Sequence, residues 1–92
     1  MDDIQIIKQH QRPAEPFDPE KLHRSVVMSC RSVRTPDGQA EDIAKKVTLG
    51  VMRWCETRPT ITSGDIRRQV IKQLTPLHTE AGFFYQHHKT MM

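Results

Sequence analysis

The hydrophobic pattern begins with a period of two and then turns helical. Residues 4–8, Ile4-Gln5-Ile6-Ile7-Lys8, alternate apolar and polar at their start and are rich in β-branched side chains. That predicts a short strand with Ile4 and Ile6 on one face. A second strand is predicted for Ala14 to Phe17, after the polar, proline-ended run Gln9-His10-Gln11-Arg12-Pro13. Pro13 and Pro16 mark it as an edge, because proline cannot donate to a ladder.

From Asp18 onward the spacing is that of helices. Asp18 is placed to accept an amide hydrogen bond as N-cap, and Pro19 at the first helical position lacks an amide that would be orphaned anyway. Leu22, Val26, Cys30 and Val33 then form one apolar stripe that ends before the turn Thr35-Pro36-Asp37-Gly38. A second helix is predicted from about Gln39 to Thr57, with Ala40, Ile43, Ala44, Val47, Val51 and Trp54 as its buried face. Gly50 weakens that helix or permits close packing. Thr62-Ser63 offers a hydroxyl cap for a third helix with core positions Ile66, Val70 and Leu74, broken at Pro76. Ala81, Phe84, Tyr85 and His88 define a short fourth helix ending in Lys89. The expected architecture is therefore α+β: a small N-terminal β-hairpin or sheet packed on a four-helix bundle.

At 92 residues the chain fits one domain, 1–92, with a core of about residues 4–89. Hydrophobic residues make up 36% and charged residues 27%, which favours a folded core over disorder. No apolar run approaches the roughly 20 residues of a membrane-spanning helix, and the acidic Met1-Asp2-Asp3 start is unlike a signal peptide. The expectation is a cytoplasmic protein with reduced, buried Cys30 and Cys55. The formal net charge of +3 suits an anionic partner, but aromatics at 5% argue against a single-strand nucleic-acid platform.

Ile6-Ile7-Lys8 followed by Glu15-Pro16-Phe17-Asp18-Pro19-Glu20-Lys21-Leu22 resembles the signature of the ATP-cone domain. Ala40-Glu41-Asp42-Ile43-Ala44, Ile61-Thr62-Ser63-Gly64-Asp65-Ile66 and Ala81 to Tyr85 look like the family's second, third and closing helices. That domain is a nucleotide-binding regulator at the N-terminus of ribonucleotide reductase large subunits and within the repressor of their genes, where ATP or dATP changes assembly state. The resemblance implies a module that binds ATP or dATP with Mg2+, controls a separate partner or its own oligomeric state, and carries no chemistry. Neither a reductase barrel nor a four-cysteine zinc ribbon accompanies it in these 92 residues, so it is expected to be free-standing and not an enzyme. The family's Lys-Arg-Asp-Gly turn is replaced by Lys8-Gln9-His10-Gln11-Arg12, which has no glycine and one extra residue.

A triphosphate needs converging cations and donors on rigid elements. By the resemblance these are Lys8, Lys21, Arg67 and Lys89, with Arg12 reaching the phosphates from the longer loop. Ser63 caps the third helix or donates to a phosphate, Glu15 and Asp18 read the adenine and sugar edges, and Ile7 lines the base pocket. Asp18 serves equally as a plain N-cap. No metal site is expected: His87 and His88 point about 100° apart on a helix and lack a tetrahedral set of partners.

Two other functions fit the same residues. Arg67, Arg68 and Lys72 on one face of the third helix would suit a small DNA-binding or transcription-associated protein. A ligand-free oligomerising module is the third, suggested by the altered turn Gln9 to Arg12; if nucleotide instead drives self-association, apolar surface near Trp54 or Phe83-Phe84-Tyr85 is the expected contact.

Overall fold

The computed structural model describes residues 5–6, 15–58 and 60–88, with 5, 6, 15 and 16 described by their backbone. Within these residues the fold is all-α. Four helices follow one another: α1 (Pro19–Ser32), α2 (Asp37–Glu56), α3 (Ser63–Leu77) and α4 (Thr79–His87). Among the described residues extended pairing amounts to an antiparallel ladder of two residues a side, with Gln5 opposite Pro16 and Ile6 opposite Glu15, and a single bridge position at Thr62. A ladder that short presents no face to bury, so the expected α+β architecture, a hairpin or sheet packed on the bundle, is overturned.

Each helix starts and stops for local reasons. The Asp18 carboxylate accepts from the amides of Glu20 at 3.0 Å and Lys21 at 3.3 Å, which fixes the start of α1. Its end is a Schellman turn: Thr35 N–H donates to the Cys30 carbonyl at 2.9 Å and Arg34 N–H to that of Arg31 at 3.0 Å. Arg34 has φ 65°, the left-handed position that glycine usually fills. The turn therefore sits one to two residues earlier than expected, and Asp37 and Gly38 already belong to α2.

The core comprises Leu22, Val26 and Cys30 of α1, Ala40, Ile43, Ala44, Val47, Val51 and Cys55 of α2, Ile61 before α3, Ile66, Val70 and Leu74 of α3, and Ala81 and Tyr85 of α4. Two expectations change. Trp54 packs against the outside of this core while Cys55 is buried in it, since the α2 stripe drifts by one position over five turns. His88 lies beyond α4 and is exposed, and the buried face of α4 is Ala81, Gly82 and Tyr85.

Helices α1 and α4 run antiparallel. Thr35 Oγ1 meets His78 Nε2 at 2.8 Å at one end of the pair, and Ser25 Oγ meets Tyr85 Oη at 3.1 Å near the other. Helices α3 and α4 are likewise antiparallel: Gly82 lies against Thr75, and Arg67 reaches the last carbonyls of α4. The start of α1, the start of α3 and the end of α4 thus share one end of the bundle.

Candidate functional site

Ser25 of α1 and Arg67 of α3 meet Tyr85 at that end. Lys21 and Ser25 are four apart on α1, and Ser63 and Arg67 are four apart on α3, so each pair shares a helix face. Ser25 donates its hydroxyl proton to the Leu22 carbonyl at 2.7 Å, which leaves the Tyr85 hydroxyl as donor in their 3.1 Å contact. Burial raises the Tyr85 pKa above its ordinary value, against smaller opposing effects of Ser25 and Arg67, and so keeps that donor protonated.

Arg67 approaches Tyr85 from the other side. Its guanidinium carbon lies 5.4 Å from the centre of the Tyr85 ring, and Nη2 donates to the carbonyls of Tyr85 at 2.6 Å and Gln86 at 2.8 Å. These carbonyls belong to the last turn of α4, where a cation also complements the helix dipole. The second terminal nitrogen of Arg67, Nη1, is buried and has no hydrogen-bond partner among the described residues. A buried donor left so costs about 1–3 kcal/mol, and an anion placed there would recover it.

The start of α3 is closed by its own side chains. Thr62 Oγ1 accepts from the Asp65 amide at 3.1 Å while the Asp65 carboxylate accepts from the Thr62 amide at 3.0 Å, a complete capping box. The backbone hydrogen bond from Thr62 is the main reason that the Asp65 carboxyl lies below its usual range, with Arg68 adding an ion pair. The expectation that Ser63 caps α3 is corrected: Thr62 is the cap and Ser63 is the first helical residue. Ser63 keeps a half-buried hydroxyl one turn before Arg67.

The other proposed ligands divide as follows. Lys21 is exposed on the first turn of α1. Asp18 spends its carboxylate on the α1 cap. Glu15 is described only by its backbone in the ladder, and Ile7, Lys8, Arg12 and Lys89 lie outside the described residues. The structure therefore brings Lys21, Ser63 and Arg67 to one end of the bundle and gives Asp18 to the α1 cap there.

Ser25, Tyr85 and the Thr62–Asp65 pair were missed as parts of this site. Ser25 had one available signal, a polar residue three after Leu22 on the buried stripe, which demands a partner. Thr-x-x-Asp spacing likewise signals a capping box. Among the described residues no group of three or more His, Cys, Asp or Glu could hold a metal ion, and no helix is long and apolar enough to cross a membrane. Cys30 and Cys55 are free and buried, and burial pushes the Cys55 thiol up to about 11. Comparison with protein-family models, with characterised proteins and with solved structures gives no match.

Proposed function

We propose that the chain is a regulatory nucleotide-binding module that takes ATP or dATP, with Mg2+ accompanying the phosphates, at the end of the bundle built around Tyr85. The observation that carries this reading is the buried Nη1 of Arg67, which has no hydrogen-bond partner among the described residues. It is a fixed cationic donor, held in place by two carbonyls and a ring, with the Ser63 hydroxyl one turn away. Lys21 supplies a second, movable positive charge on the α1 side of Tyr85. Three of the four sequence motifs quoted for the ATP-cone resemblance reach this end: two of them contain Lys21 and Ser63, and a third contains Tyr85, while residues 40–44 lie in the first turns of α2, which follow the other end of α1.

The regulatory part of the proposal follows from where those groups sit. A phosphate bound by Lys21 of α1 and Arg67 of α3 would cross-link two helices whose meeting point is Tyr85 of α4. Ligand would then favour the arrangement in which all three ends are joined, and only such differential affinity can move an equilibrium. The output is a partner protein or the chain's own assembly state.

The DNA-binding alternative is not favoured, because two of the three cations on its face turn to partners within the chain. Arg67 is committed to α4 and Arg68 to Asp65.

Backbone amide chemical shifts during an ATP titration test the location. The expected result is saturable shifts confined to residues 19–25, 62–67 and 85–88. Saturable shifts clustered elsewhere, or none with either ATP or dATP, would overturn the assignment.

A further inference from the structure

The outward face of α4 carries a self-complementary pattern. Glu80, Phe83 and His87 recur at three- and four-residue steps, opposite the buried Ala81, Gly82 and Tyr85. Phe83 is 65% exposed, and Leu77 at the adjoining end of α3 is 46% exposed. Phe83 lies against His87 with ring centres 4.2 Å apart and planes tilted by 47°, and Phe84 stacks on His88 at 3.8 Å. Beside them lies an apolar groove of about 380 Å³ between α4 and Val33 at the end of α1. One carboxylate, Glu80, stands at one end of this strip, and the imidazoles of His87 and His88 stand at the other.

A twofold axis passing between Phe83 and Phe84 would bring α4 of a second copy antiparallel across the first. Glu80 of each chain then falls opposite His87 of the other, since the two positions are equally far from the axis, and Phe83 of each enters the other's groove. We propose that this face is the contact surface of a homodimer, with the second copy of the chain as its occupant. The charge arrangement selects that occupant: the strip is acidic at one end and imidazole-bearing at the other, so an antiparallel copy of itself is its complement, as an isologous interface requires. A nine-residue helix spans only about 14 Å, so the contact is at the small, transient end of protein interfaces. Dimer should therefore accumulate at about 0.1–1 mM chain rather than at nanomolar concentration.

Sedimentation equilibrium over that range, without nucleotide, tests the proposal independently of the nucleotide reading. The wild-type mass should rise from that of the 10.7 kDa chain toward twice that value. Phe83→Asp should remain a monomer with an unchanged melting temperature, because Phe83 contributes little to its own core. Glu80→Lys and His87→Glu should each weaken the dimer at least fivefold, and the double variant should recover it by exchanging the two ends. A wild-type monomer at every concentration, a dimer that survives Phe83→Asp, or a double variant no better than the singles would each overturn the proposal.

Discussion

Gly82 of α4 lies so close to Thr75 of α3 that a Cβ on the glycine would come within 2.8 Å of the Thr75 Cα. That neighbour is backbone and cannot step aside. Gly82→Ala should therefore push α4 off α3 and destabilise the fold by about 1–3 kcal/mol. Gly50 makes a useful contrast, because its added Cβ would meet only the far end of the Gln73 side chain. Gly50→Ala should be neutral or stabilising by up to about 1 kcal/mol through helix propensity. Urea denaturation of both variants checks the order, and equal losses would show that the two helix crossings are equally tight.

Arg34 adopts the left-handed conformation at the end of α1 without being a glycine. Its side chain is exposed, and the Schellman bonds depend only on backbone. Arg34→Gly should raise stability by about 1 kcal/mol as the steric cost at Cβ is relieved, less the added entropy of the unfolded chain. A fall in the denaturation midpoint would mean that the arginine makes a compensating contact.

Arg67 should be the surface-reaching residue whose loss costs most. Arg67→Ala removes two charge-assisted hydrogen bonds to the α4 carbonyls and the packing on Tyr85, a loss of about 2–4 kcal/mol. Arg67→Lys should recover only part of it, since an ammonium cannot span both carbonyls and cover the ring. Hydrogen exchange should show the α4 amides opening first in both variants. Unchanged protection there would remove Arg67 from its capping role.

Stability should fall at both ends of the pH scale for identifiable reasons. The Asp65 carboxyl titrates below its ordinary value in the folded protein, so its contribution is present above about pH 4 and is lost as pH falls through the lower, folded value. The stability gap between wild type and Asp65→Asn should therefore narrow below pH 4. Cys55 behaves in the opposite sense. Its thiol is held neutral up to about 11, so its contribution is present below about pH 9 and is lost between there and 11. Cys30 and Tyr85, raised by burial as well, steepen the same decline. Denaturation midpoints from pH 3 to 11 check this, and a Cys55→Val variant as steep as wild type above pH 9 would exclude that thiol.

The helical part of the fold was legible because its signals are local. Asp18-Pro19 placed the start of α1, and the stripes Leu22-Val26-Cys30 and Ile66-Val70-Leu74 are buried as their spacing requires. Alternation at Ile4-Gln5-Ile6 suggested a hairpin packed on the bundle, but among the described residues only Gln5–Ile6 pairs with Glu15–Pro16, too few pairs to share a buried face. Pro76 was read as a break, yet α3 runs on to Leu77, since near its end the helix loses a single hydrogen bond. The site was less legible. Arg67 could be named as a cation but not as the clamp on α4, and Ser25 meets Tyr85 across 60 residues, a relationship that no local pattern carries.

The central claim, binding of an adenine nucleotide at this end of the bundle, is tested most directly by the melting temperature in the presence of ATP, dATP and CTP with Mg2+. Lys21→Glu serves as the control, because Lys21 is exposed and its loss should leave the fold intact. At about tenfold excess over Kd a ligand adds about 1.4 kcal/mol, which for a domain of this size is a shift of about 6–11 °C. The account predicts a saturable rise with ATP or dATP, little or none with CTP, and loss of the rise in Lys21→Glu. A melting temperature unmoved by ATP and dATP at millimolar concentration, or a rise that Lys21→Glu retains in full, would contradict it.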